Sequence, residues 1–139
     1  MKITAKLDYT CRILCELARE FSKGEPVRIE QLSKAEGVPA NFLAQMLGEL
    51  RNAKLVISRR GTQGGFLLAR PPAEITLLEI IEAVEGELFE FNGNGNAVGR
   101  SSRRLKQIWS EVREAAAAKA RGYTLEAIAA KVDAEMYYI

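Results

Sequence analysis

Asn41 and Gln45 lie four residues apart in the run ANFLAQMLGEL, where Phe42, Leu43, Met46, Leu47 and Leu50 recur at helical spacing. A helix that buries those apolar residues turns both carboxamides outward. An outward amide matches the adenine edge in the major groove, and it can equally touch phosphate. Downstream, Arg51, Lys54, Arg59, Arg60 and Arg70 are the only charged residues between positions 51 and 70. Arg59 and Arg60 run into Gly61-Thr62-Gln63-Gly64-Gly65. Cations that meet phosphates release counterions, which makes binding favourable and salt-dependent. The candidate nucleic-acid contacts are therefore Asn41 and Gln45 for bases, and Arg51, Arg59 and Arg60, with Thr62 in the turn, for phosphate or minor groove.

Other chemistry is poorly supplied. The chain has no histidine, which removes the commonest general base and metal ligand. No Ser, His and Asp set can form, and the chain does not read as an enzyme. Its two cysteines, Cys11 and Cys15, sit one helical turn apart on an apolar stripe. A disulfide at that spacing fits helix geometry badly, and a metal would need ligands the chain lacks. A place in the core is the better reading for both thiols. No metal or other cofactor is expected.

The elements that must hold the contacts follow from periodicity. Thr4 is positioned to cap a helix running to about Phe21, with Leu7, Cys11, Leu14, Cys15, Ala18 and Phe21 as its stripe. Residues 22–26 form a turn. Ile29, Leu32 and Ala35 mark a short helix that Gly37 interrupts, and the Asn41–Gln45 helix follows. The period then drops to two: Val56 and Ser58 alternate with Ile57, and Phe66 and Leu68 with Leu67, across the glycine turn. Helix, tight turn, helix, hairpin is the order of a winged helix-turn-helix, whose second helix enters the major groove. The expected fold is mainly α with a small β-hairpin wing.

The charge divides unevenly. Residues 1–72 carry 12 Lys and Arg against 7 Asp and Glu, whereas residues 73–139 carry 8 against 11. We read 1–72 as the DNA-binding region and 73–139 as a second region with a different task. No apolar run reaches membrane-spanning length and the start lacks a signal-peptide core, so a cytoplasmic location with no membrane partner is expected.

In the second region, Pro71-Pro72 ends the wing. Thr76 and Glu79 make a capping box before Leu77, Leu78, Ile80, Ile81 and Val84, and that helix should stop at Gly86. Residues 87–102 include Asn92-Gly93-Asn94-Gly95-Asn96 and read as a flexible connector. They lack the Gly-Lys-Ser/Thr ending of a phosphate-binding loop. Ser101 or Ser102 can cap a long helix over 103–121. Its stripe of Leu105, Ile108, Trp109, Val112 and Ala116 is longer than one small domain would cover. A second copy pairing on Leu105, Ile108, Trp109 and Val112 would give a homodimer reading two half-sites about 34 Å apart. Gly122 stops this helix, and Thr124 caps a short last one containing Leu125, Ile128, Ala129 and Val132.

Four stretches in order carry a family resemblance: MKITAK with Tyr9, LRNAKLV at 50–56, RRGTQGGFLL at 59–68 and ITLLEIIEAVEG at 75–86. On these the chain resembles the Rrf-two family of winged-helix transcription regulators, over essentially all 139 residues. The resemblance implies a dimeric DNA-binding regulator, here a repressor of double-stranded DNA targets, with its dimerisation helix at 103–121. Three departures matter. Sensing members hold an iron–sulfur cluster on three loop cysteines, and residues 87–102 have none. A glutamate used there in base reading corresponds to Ala44, beside the retained Gln45. Pro39 stands where a capping serine is usual.

The resemblance is strongest to the cluster-free, cysteine-metabolism branch, whose tail also ends in an aromatic residue and Ile. It implies cysteine synthase as a partner, docking on Tyr138 and Ile139; the alternative is that this tail only packs on the dimer. The rival class is a protein-interaction module that keeps the fold without DNA binding, and the basic wing argues against it.

Overall fold

The computed structural model describes residues 1–91 and 99–130. The glycine and asparagine run at 92–96, Val132, Tyr138 and Ile139 lie outside the described residues. Helix α1 (Ala5–Glu20) runs through the middle of the core, with Leu7, Ile13, Leu14, Cys15 and Leu17 buried, and packs against most of the other helices. Thr4 caps it by accepting from the Leu7 N–H at 3.1 Å. Thr10, the one buried polar side chain among the described residues, is satisfied by the Lys6 carbonyl at 2.7 Å.

Helices α2 (Ile29–Glu36) and α3 (Ala40–Asn52) follow. Gly37 joins them at φ +66°, the left-handed conformation that lets the chain turn sharply after α2. Leu32, Val38, Leu43, Met46, Leu47 and Leu50 fill the space under this turn. Leu43 and Leu47 are fully buried, each gaining about 1.5–3 kcal/mol from leaving water. Two expected core positions are not core. Ala35 is exposed, and Phe42 is 50 % exposed. The buried stripe closes with Leu43, Met46, Leu47 and Leu50, and Phe42 sits about 100° round the helix from Leu43.

Strands β1 (Val56–Arg59) and β2 (Gly65–Leu68) pair antiparallel, Val56 opposite Leu68 and Arg59 opposite Gly65. The expected alternation holds only at Val56 and Ile57, which are buried and exposed; Ser58 is exposed too, and Leu67 and Leu68 are both buried. The hairpin is wedged against Val27, which exchanges two 2.9 Å backbone hydrogen bonds with Phe66. That third strand-like edge explains Gly65, because a Cβ there would lie 2.5 Å from the Val27 carbonyl oxygen. At Gly64 a Cβ would lie 2.3 Å from the Arg59 carbonyl. The glycine turn is therefore a steric requirement of the wing.

Helix α4 (Leu77–Glu85) has the expected capping box, with Thr76 and Glu79 exchanging bonds of 3.2 and 3.1 Å. Helix α5 (Arg100–Arg121) begins earlier than expected. Gly99, not Ser101 or Ser102, occupies the cap, and the Arg103 N–H bonds back to its carbonyl at 3.3 Å. Helix α6 (Leu125–Ala129) is capped by Thr124 and tied to α4, Leu125 N–H donating to Ile75 and Leu77 N–H to Tyr123. One hydrophobic cluster joins residues from both halves of the chain, Leu7 through Ala129.

Candidate nucleic-acid interface

Helix α3 presents Asn41, Ala44 and Gln45 to solvent while its opposite side is locked into the core. The end of α2, which leads through the Gly37 turn into α3, is held by an ionic clamp from α1. Arg12 donates to the Glu36 carbonyl, and Arg19 lies 3.4 Å from the Glu36 carboxylate and 3.1 Å from Glu16. Burial, then the neighbouring Glu16, pushes the Glu36 carboxyl above its ordinary range, so the two arginines hold a carboxylate that its surroundings disfavour. Pro39 caps α3 with no side-chain acceptor; its carbonyl accepts from the Phe42 N–H at 3.1 Å, so only the Ala40 and Asn41 N–H groups at the very start face outward unbonded to the helix.

The far end of α3 is joined to the wing. Arg51 lies 3.4 Å from the Ser58 hydroxyl on β1, an exposed link that sets the cation between helix and hairpin. Arg59, Arg60 and Thr62 are exposed around the wing tip. Among the described residues Arg51, Arg59 and Arg60 make no ion pair. Arg70 differs from the rest of the basic run. It reaches Glu79 at 3.1 Å and the Glu74 carbonyl at 3.1 Å, so it braces the base of the wing against α4. The acid on α3, Glu49, is paired with Lys6 at 2.8 Å. The structure thus brings Asn41, Gln45, Arg51, Arg59, Arg60 and Thr62 onto the exposed surface of one helix and its adjoining hairpin.

Two features escaped the sequence reading. Lys54 closes α3 at φ +63°, with the Lys54 N–H on Arg51 and the Leu55 N–H on Leu50, a Schellman cap with lysine where glycine is usual. Phe42 stands beside Asn41 with its ring edge-on to Tyr9 at 6.2 Å, and Arg12 covers Tyr9 at 5.2 Å. The signal for Phe42 was present, since the stripe at 43, 46, 47 and 50 is complete without it.

Helix α5 has two unlike halves. Ala117 and Ala120 are buried on the domain, whereas Leu105, Trp109 and Val112 are 45 %, 47 % and 42 % exposed, with Ile108 half-buried. Phe91, Leu105 and Trp109 line an open cavity of about 320 Å³. Arg113 donates to the Phe89 carbonyl at 3.3 Å and holds the start of the α4–α5 segment to the helix.

A short helix, a left-handed turn, a helix with an exposed polar face and a glycine-tipped basic hairpin define a winged helix-turn-helix transcription regulator. The profile of the Rrf2 family, described as iron-dependent transcriptional regulator, matches residues 3–131. The chain belongs to that family. It is 31% identical over 143 residues to the HTH-type transcriptional regulator CymR of Bacillus subtilis (strain 168), covering 100% of both chains. It is 39% identical over 88 residues to the Mycobacterium tuberculosis (strain ATCC 25618 / H37Rv) regulator Rv1287, spanning only 54% of that relative's length. The solved structure of CymR, the global cysteine regulator of B. subtilis, superposes with a TM-score of 0.80 at 29% identity, covering 96% of this chain and 99% of that one. That of IscR from T. potens gives 0.74 at 29%, covering 100% and 92%. These relatives are regulators, not enzymes. No helix among the described residues is long and apolar enough to cross a membrane.

The iron in the family description does not fit these residues. Both thiols of the chain lie on α1, far in sequence from the segment before α5, and residues 92–98 contain neither Cys nor His. Burial, then Cys15 and Asp8, pushes Cys11 up to about 11, and burial also raises Cys15. Two partly or fully buried thiols one turn apart on α1 are also fewer than the thiolates such a cluster takes. Among the described residues no group of three or more His, Cys, Asp or Glu is placed to hold a metal ion.

Proposed function

We propose that the chain is a homodimeric, DNA-binding transcription repressor that works without an iron–sulfur cluster and serves cysteine or sulfur metabolism. The observation that carries DNA binding is the pair of exposed amides Asn41 and Gln45 on α3, joined to the hairpin by a run from Arg51 through Arg59, Arg60 and Thr62 that holds no acid. Asn41 and Gln45 read bases, and the arginines neutralise phosphate. Dimerisation uses Leu105, Ile108, Trp109 and Val112, of which a lone chain leaves Leu105, Trp109 and Val112 exposed and Ile108 half-buried. The metabolic assignment is supported by the full-length similarity to a global cysteine regulator. Cysteine synthase is the proposed partner, with Tyr138 and Ile139, whose aromatic–Ile pattern resembles the cysteine-metabolism branch of the family, as the residues it recognises.

One titration tests these together. The full chain is mixed with genomic DNA fragments at rising salt, with and without cysteine synthase. Binding that weakens linearly on a log–log salt plot is expected, as is a shift on adding enzyme that disappears when Ile139 is deleted. Salt-independent or absent binding would leave only the protein-interaction reading. An enzyme effect that survives loss of Ile139 would remove the tail from it.

A further inference from the structure

The base-reading face of α3 carries no charge. Its exposed residues in the first two turns are Ala40, Asn41, Phe42, Ala44 and Gln45. The nearest acid on the helix, Glu49, is occupied by Lys6, and the first cation, Arg51, lies at the C-terminal end beside Ser58. The N-terminal residues of such a helix are the ones that reach base edges. The four bases ask for different partners there. Guanine offers two acceptors that suit Arg or Lys, and the cytosine amino group suits Asp or Glu. Adenine suits an amide, and the thymine methyl suits an apolar side chain. Helix α3 supplies the last two kinds and neither of the first two.

The spacing makes a composite patch. Asn41 and Gln45 lie about 40° apart round the helix, and Ala44 lies about 60° from Asn41 on the side away from Gln45, so its methyl flanks the amide pair. Phe42 extends the apolar area at the other side of Asn41. Half its surface is in water although the rest of the helix's large apolar residues are buried. Its ring is not loose, because Tyr9 packs against its edge at 6.2 Å and Arg12 in turn covers Tyr9. An apolar ring held rigid at a polar reading face is suited to burying another apolar group.

We propose that α3 selects A·T pairs, with Asn41 and Gln45 on adenine and the apolar surface of Ala44 and Phe42 receiving thymine 5-methyl groups. This rests on the DNA-binding reading above, and its failure is separable from failure of that reading.

The probe is the set of duplexes that the full chain recovers from random DNA. The core of each half-site should be A·T. Replacing its thymines one at a time by deoxyuridine removes only the methyl, and should weaken binding about three- to fourfold at the contacted positions. Phe42→Ala should lose that sensitivity at the thymine it covers, while its salt slope stays that of the parent. Ala44→Glu should move the preference at its own position from thymine to cytosine, whose amino group a carboxylate accepts. Both side chains are exposed, so neither change depends on the core. A G·C core, or equal affinity for thymine and deoxyuridine duplexes with normal salt dependence, overturns the inference and leaves DNA binding standing. No binding at any salt removes both.

Discussion

Helices α3 and α5 are both amphipathic, yet they leave opposite faces uncovered. Helix α3 buries Leu43, Met46, Leu47 and Leu50 inside the domain, and what remains outside is amide, methyl and, at its end, cation. Helix α5 anchors only its last turns through Ala117 and Ala120, and what remains outside is Leu105, Trp109 and Val112. The chain therefore satisfies the hydrophobic requirement of α3 by itself and leaves that of α5 open. A surface of polar edges beside free arginines suits nucleic acid, and a ridge of large apolar side chains suits a copy of itself. On the function proposed above, α3 would read DNA and α5 would pair the subunits, which fits a basic wing following the first and not the second.

The contrast breaks most visibly at Trp109. Trp109→Glu places a charge in the centre of the proposed dimer contact, twice in each symmetric dimer. Losing two hot-spot contacts of about 2 kcal/mol each weakens association by roughly a thousandfold. Sedimentation should show monomers at micromolar concentration. Because Trp109 is 47 % exposed in the single chain, the far-UV spectrum should not change. DNA affinity should fall as the two readers separate. A variant that stays dimeric would move the interface off this half of α5.

Arg60→Ala gives a smaller effect on the other side of the comparison. Arg60 is exposed at the entry to the glycine turn and unpaired among the described residues. Removing it should weaken binding to selected and random DNA alike and lower the salt slope by about one. The dimer should be untouched. An unchanged slope would take the wing tip out of the interface and leave α3 alone as the reader.

The difference between the two helices was only half visible in the sequence. Period-3.6 stripes, the Thr4 and Thr76 caps and the glycine turn located nearly every element, because those signals depend on residues close in sequence. The stripe of α5 was legible for the same reason. Which part of it the domain covers was not, since that depends on α4, which ends at Glu85, well before Arg100, and on Gly99 starting the helix earlier than the serines suggest. Phe42 was misplaced because a hydrophobic residue next to a buried stripe looks like part of it; only the packing of Leu43 and Leu47 decides its angle. Arg70 resembles its basic neighbours in sequence, but Glu79, nine residues on, holds it. Tertiary partners, which local pattern does not encode, separated these cases.

Lys54 stands both at the cap of α3 and in the acid-free basic run, and it offers the finest test. The Schellman cap that ends α3 requires a left-handed residue, and Lys54 adopts φ +63° to provide it. A side chain in that region costs about 1–2 kcal/mol relative to glycine, part of which glycine returns through its freer unfolded chain. Lys54→Gly should therefore stabilise the fold by up to about 1 kcal/mol, raising the melting temperature by a few degrees. Lys54 is also exposed, three residues from Arg51 and within the acid-free run. If its ammonium serves a phosphate, the same variant should bind DNA less tightly with a shallower salt slope, measured beside the melting curve. Higher stability with weaker binding would mean that the strain is kept in exchange for a contact at the reading face. Higher stability with unchanged binding would place Lys54 outside the interface, and the cationic surface would then begin at the wing.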